Sequence, residues 1–146
     1  MAETILLADD DKDDADIFRQ ALQEINPSIV FCYADTGFGI FEYLNDEKNP
    51  KPDVIFLDLN MPEMNGWQCL AKLKNEKKFE SIPVIIYTTS SNPRENEIAQ
   101  DLEAHGLITK PTDPKILKKV LGLVITNLGT KHLREAVKEA YLLTRE

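Results

Sequence analysis

Cysteine is scarce in this chain of 146 residues: Cys32 and Cys69 are the only two, far apart in sequence and each in a largely apolar pattern. A disulfide-dense scaffold is therefore out of reach, and two thiols inside apolar segments fit a reducing compartment, the cytoplasm. Long hydrophobic runs are missing as well. No apolar stretch approaches the ~20 residues that a membrane span needs, and no signal-peptide pattern precedes the first strand-like segment. Basic side chains are in the minority, 17 Lys and Arg against 25 Asp and Glu, giving a net charge of −8. That balance opposes binding to nucleic acid or an anionic membrane and favours a small cation as ligand. Nor is there an internal repeat, a low-complexity tract or a linker long enough to join a second folded domain.

What is present is ordinary globular composition, 42% hydrophobic and 29% charged. A chain of this length can form one domain that buries roughly two-thirds of its unfolded surface. Strand and helix patterns alternate from the start, which predicts βαβ units and an α/β fold, a doubly wound parallel sheet of five strands. Strands are expected over 4–8, 29–33, 53–57, 84–87 and 107–109. The first helix should run from Asp13 to Glu24 with Ile17, Phe18, Ala21, Leu22 and Ile25 inward, ended by Asn26-Pro27. The second, weakened by Gly37 and Gly39, should carry Phe38, Phe41 and Leu44 on one side. Trp67, Leu70, Ala71 and Leu73 mark the third, after Gly66. Asn92, Pro93 and Glu95 form a capped start for the fourth, and Asp113-Pro114 opens a fifth lined by Ile116, Leu117, Val120, Leu121 and Val124.

The chemistry gathers at strand exits. The apolar run Val54–Leu57 ends in Asp58, and Ile5–Ala8 ends in Asp9 and Asp10. Ligands of open parallel sheets bind beyond the carboxyl ends of the strands, so two strands deliver three acids to one binding edge. Clustered carboxylates repel one another, and a hard divalent cation with oxygen ligands relieves this; magnesium is the natural candidate. Read alone, Asp9 and Asp10 are as well explained as helix caps or part of the acidic surface run through Asp16. An EF-hand loop starting at Asp9 fails, because Asp14 stands where glycine is needed and Gln20 where the bidentate Glu belongs. Thr88 and Lys110 follow later strands and reach the same edge with a hydroxyl and an ammonium group. Each alone reads as a turn former or a surface charge; the set points to a site for a phosphoryl group. His105 and His132 lack metal-ligand partners at suitable spacing and are expected at the surface.

Asp9-Asp10, Asp58 with Asn60-Met61-Pro62 and Gly66, Thr88, and Lys110-Pro111 together resemble the response regulator receiver domain, over residues 4 to about 128. The resemblance implies that Asp58 accepts a phosphoryl group from a sensor histidine kinase or phosphotransfer protein. It implies magnesium held by the Asp10 and Asp58 carboxylates and the Asn60 backbone carbonyl, with Asp9 acting mainly through water. Thr88 and Lys110 would take the phosphoryl oxygens, and Lys110-Pro111 would be a cis peptide. A downstream protein target would read the switch, and the chain would not be an enzyme. Two other classes compete. One is a receiver-like binding module that takes no phosphate; the other is a metal-dependent phosphohydrolase, which wants a general acid where Asn60 stands.

Two positions depart from the pattern. Leu107 stands where many receivers have an aromatic residue that turns inward on phosphorylation, and Thr89 stands where a smaller residue is usual, which implies slow access to Asp58 for kinase or water. Beyond the receiver-like part, residues 1–128, the segment 129–146 repeats the helical period with Leu133, Val137, Ala140, Tyr141 and Thr144 on one side. It reads as an extension of the preceding helix, a strap packed on the domain, or a dimerisation element. By the same resemblance, the face made by the fourth helix, fifth strand and fifth helix commonly carries the signal, and this added helix begins beside it.

Overall fold

The computed structural model describes residues 3–145. Five parallel strands, β1 (Thr4–Ala8), β2 (Val30–Ala34), β3 (Val54–Leu57), β4 (Val84–Thr88) and β5 (Gly106–Thr109), form one sheet in the order β2-β1-β3-β4-β5. Six helices accompany them: α1 (Lys12–Ile25), α2 (Gly37–Asn45), α3 (Gly66–Asn75), α4 (Pro93–Asp101), α5 (Pro114–Thr126) and α6 (Leu133–Thr144). The reversal of strand order at β1 and β3 makes the fold doubly wound and opens a crevice at their carboxyl ends.

Alternation along the strands divides the core into two layers. Ile5, Leu7, Val54, Phe56, Ile85, Tyr87 and Ile108 face α1 and α5 on one side. Leu6, Ala8, Ile55, Leu57, Val84, Ile86 and Leu107 face α2, α3 and α4 on the other. A strand buried on both faces has no polar alternation, which is why β1, β3 and β4 read as unbroken apolar runs. The helix starts follow their caps. The Asp11 carboxylate accepts from the Asp13 and Asp14 N–H groups, Asn65 forms a capping box with Gln68, and Asp113 accepts from Lys115 N–H.

The inward faces differ in places from those expected. Ile17 is 53% exposed and Phe38 is 49% exposed, while Ala71 also points to solvent and Trp67 is half-buried. In α1 the buried line is Ala15, Phe18, Ala21 and Leu22, which leaves Ile17 about 100° round the helix from Phe18. In α2, Gly37 takes the inner position instead of Phe38. A Cβ there would stand 2.7 Å from Cys69 Sγ and 2.9 Å from Met64 Cβ, so the helix can approach α3 only with glycine at that point. The Lys110-Pro111 bond is trans, since the described residues contain no cis peptide; trans is the lower-energy form even before proline. Both cysteines are free, Cys69 buried and Cys32 partly exposed with its thiol 3.2 Å from the Tyr43 hydroxyl.

The last helix is a strap. It follows the turn at Gly129, where φ is +75°, and lies along β5, the edge strand, against α5. Leu133, Val137 and Ala140 join the α1/α5 core, and Tyr141 joins the opposite one beside Leu107. The helix therefore bridges both layers at the open edge of the sheet. There Thr144 Oγ1 accepts from the Thr109 backbone N–H at 3.3 Å, satisfying an edge donor.

Candidate functional site

Each site residue owes its place to a strand end. The Asp58 N–H donates to Ala8 O and the Asp9 N–H to Ala34 O, so sheet pairing continues one residue beyond β3 and β1 and fixes both acids at the crevice. The Gly66 N–H donates back to Leu59 O, closing the β3–α3 loop; there is no room for a side chain, because a Cβ on Gly66 would collide with the Asp58 carbonyl oxygen. The Lys110 N–H donates to Thr88 O at 2.7 Å and fixes the exits of β4 and β5 together.

The carboxylates of Asp9, Asp10 and Asp58 converge, with one oxygen from each lying within 4.8 Å of the others. Asp9 is fully buried, Asp58 is 5% exposed and Asp10 is open to solvent. Burial pushes the Asp58 carboxyl up to about 7; Lys110 opposes this, while Asp9 and Asp10 add to it and the Asn60 backbone N–H works with Lys110. Burial, with two acids beside it, thus favours the neutral form of Asp58 despite Lys110. An all-oxygen donor set of this size, with one side open, suits a hard divalent cation.

Thr88 is fully buried, and its hydroxyl oxygen accepts from the Ser90 N–H at 3.2 Å, leaving the hydroxyl proton free to donate. Lys110 Nζ stands 2.7 Å from Asp9 Oδ2 and 2.8 Å from Asp14 Oδ2. Burial works against its charge, but the hydrogen bond to Asp14 and the ion pair with Asp9 outweigh that and raise its pKa. Asp58 acts on Lys110 as a neighbouring charge and is not among its ionic contacts. Asn60 is exposed on the β3–α3 loop. His105, expected at the surface, is half-buried where the chain enters β5: its backbone N–H pairs with Val84 O, and Arg134 and Lys74 are neighbouring charges.

Asp14 is the site residue that sequence reasoning passed over as part of an acidic run. The signal was its spacing: Asp14 is four residues before Phe18 and eight before Leu22, so an acid heads the buried stripe of α1 and needs a partner there.

Similarity to known proteins agrees with this geometry. The profile of the response regulator receiver domain matches residues 5–122. The response regulator Rcp1 of Synechocystis sp. is 28% identical over 82% of this chain and 84% of its own length. The chemotaxis protein CheY homolog of Campylobacter jejuni is 32% identical over 80% of this chain and 88% of its own. Among solved structures, the Mn(2+)-bound form of Rcp1 superposes with a TM-score of 0.76 at 28% identity, covering 88% of this chain and 96% of that one. A phosphorylated cyanobacterial phytochrome response regulator, RcpA, gives 0.78 at 26% identity, covering 88% and 94%. With the strand order, the acidic cluster and a match over most of its length, this chain belongs to the response regulator receiver domain family.

Proposed function

We propose that this chain is a phosphoacceptor of a two-component phosphorelay, that Asp58 is the residue phosphorylated, and that the modified protein signals by contact with another protein. The observation that carries the reading is the surroundings of Asp58: a buried carboxylate flanked by Asp9 and Asp10, with the Thr88 hydroxyl and the Lys110 ammonium at the exits of the two following strands.

In the reaction, an Asp58 oxygen attacks phosphorus. The bond from phosphorus to the donor nitrogen of a phosphohistidine breaks, and the imidazole leaves with the electron pair. Little further covalent chemistry is asked of the protein, so the gain comes from positioning and charge neutralisation. Magnesium, held by Asp10 and Asp58 with the Asn60 carbonyl and with Asp9 through water, would supply the positive charge that Lys110 alone does not. Asp58 must be ionised to attack; burial, which raises its pKa to about 7, favours the neutral acid, and a bound cation would favour the carboxylate. Thr88 would donate its free hydroxyl proton to a phosphoryl oxygen and Lys110 an ammonium proton to another. Hydrolysis of the acyl phosphate would reset the switch.

In this reading residues 1–128 form the receiver unit and 129–146 an added helix. Its partners are a sensor histidine kinase or phosphotransfer protein and a downstream protein target. The two free thiols fit a cytoplasmic setting, and no helix among the described residues is long and apolar enough to cross a membrane.

The test is intact mass after incubation with magnesium and acetyl phosphate, beside an Asp58→Asn variant. Gain of one phosphoryl group by the wild type and none by the variant is the expected result. No gain in either, with magnesium binding shown by calorimetry, would leave a phosphate-independent binding module.

A further inference from the structure

We infer that Asp14 is a positioning residue for phosphoryl transfer: it holds Lys110 on the α1 side of the resting site and so slows the arrival of phosphate at Asp58. The inference rests on the phosphoacceptor reading and adds to it a residue of α1, one helical turn away from the acidic cluster.

The Lys110 side chain is 9% exposed and its ammonium group has three donors. One donates to Asp14 Oδ2 at 2.8 Å, Asp9 Oδ2 lies 2.7 Å away as an ion pair outside hydrogen-bond geometry, and the chain is laid over the Tyr87 ring with Nζ 5.6 Å from its centre. Asp58 is not among these partners. The ammonium that would neutralise an incoming phosphoryl group is therefore directed at two other carboxylates. The two differ in burial: the Asp9 side chain is fully buried and the Asp14 side chain is 34% exposed. Leaving Asp9 without its cation would strand a buried charge, whereas Asp14 can turn to water at small cost. When phosphate arrives, Asp14 is the partner that gives way. Its contact belongs to the unphosphorylated state and is lost on the way to the phosphorylated one, so it opposes the reaction.

The consequence is kinetic. With acetyl phosphate, an Asp58 oxygen attacks phosphorus, the bond between phosphorus and the acyl oxygen breaks, and acetate departs with its electron pair. Asp14→Asn keeps the shape of the side chain and removes the charge, and about a fivefold faster gain of phosphate is expected, the size of one charge-assisted hydrogen bond at a partly exposed site. Asp14→Glu, which restores the carboxylate, should return the rate to that of wild type. In a Lys110→Met background the Asn change should alter the rate less than twofold, because the partner through which Asp14 acts is gone. Magnesium affinity measured by calorimetry should stay within twofold of wild type, since Asp14 is outside the acidic cluster.

The experiment follows the mass of wild type, the two Asp14 variants and the Lys110→Met pair over time at saturating magnesium. An Asp14→Asn rate equal to or below wild type overturns the inference, as does a Glu variant that behaves like Asn or a full effect that survives in Lys110→Met. Wild type that gains phosphate while Asp14→Asn shows no change removes only the role of Asp14. Wild type that gains none removes the phosphoacceptor reading as well.

Discussion

At the scale of single residues, the site is held by what cannot be changed in the backbone around it. Gly66 is in van der Waals contact with its surroundings through its backbone, and an added Cβ would collide with the Asp58 carbonyl oxygen and stand 2.8 Å from Leu59 Cα. Gly66→Ala should therefore cost about 2–3 kcal/mol of stability, read from urea midpoints at constant slope, and disturb the Asp58 loop. A cost under about 0.5 kcal/mol would show that the loop yields freely. His105 gives the pH counterpart. Burial first, then Arg134 and Lys74, lowers its pKa from 6.5 to about 4, and its Nδ1 has no hydrogen-bond partner. The unfolded chain takes up this proton near pH 6.5 and the folded chain only near 4. Stability is thus full above pH 6.5 and falls as the pH drops towards 4. Allowing for partial exposure, wild type should lose about 1 kcal/mol more than His105→Gln between pH 7 and pH 5. Parallel urea curves for the two proteins across that range would refute the assignment. At Thr89, exposed on the wall of a 540 Å³ groove between α1 and α5 that also includes Lys110, replacement by Ala should shorten the lifetime of phosphate on Asp58. An unchanged lifetime would remove the steric argument.

At the scale of elements, the strands and α1, α3, α4 and α5 were legible in the sequence because burial on both faces and capping residues leave strong local marks. The weaker readings were helix faces. Ile17 and Phe38 are as apolar as their neighbours, so composition could not say which side of the helix met the sheet; the close approach to Cys69 and Met64 at Gly37 decides it for α2, and the buried line Ala15, Phe18, Ala21 and Leu22 for α1. The convergence of Asp9, Asp10 and Asp58 could be read from three strand ends, whereas the Lys110–Asp14 contact, 96 residues apart, has no local mark beyond an acid on a buried stripe. The stripe on α6 was visible, but its docking partner was not. Gly106, at φ +147°, lets Val137 pack where a Cβ would come within 2.7 Å of Val137 Cγ1, and nothing in the Gly106 neighbourhood announces that. Tyr141, 9% exposed, packs in the same core as Leu107 and so places an aromatic ring against β5 at the position where β5 itself has leucine. Tyr141→Ala should cost about 3 kcal/mol by opening a cavity there. A loss below about 1 kcal/mol in a chemical unfolding curve would mean that α6 is held by Leu133 and Val137 alone.

At the scale of the molecule, a hydrogen-bonded path joins the acidic edge at Thr88 to the far end of the strap. The Ser90 N–H donates to Thr88 Oγ1, the Thr109 hydroxyl donates to Ser90 O at 3.2 Å, and the Thr109 N–H donates to Thr144 Oγ1 at 3.3 Å. Thr144 Oγ1 in turn donates to the carbonyls of its own helix at Ala140 and Tyr141. If Thr88 shifts as its hydroxyl donates to a phosphoryl group on Asp58, the bond it accepts from Ser90 N–H and the bond that the Thr109 hydroxyl makes to Ser90 O shift with it. Contacts at both ends of the path are long for their kind, so the last turn of α6 is the place where the shift is absorbed with least loss. A last turn of α6 that loosens in one state of the site would give a physical basis for coupling. Phosphorylation should therefore speed amide hydrogen exchange in residues 140–144 by about threefold or more while leaving β1 and β3 unchanged. Thr144→Val removes the acceptor without removing the helix, and in that variant exchange at the end of α6 should be fast with or without phosphate. Equal protection of α6 in phosphorylated and unphosphorylated wild type would show that the strap is a fixed part of the fold, with no share in the switch.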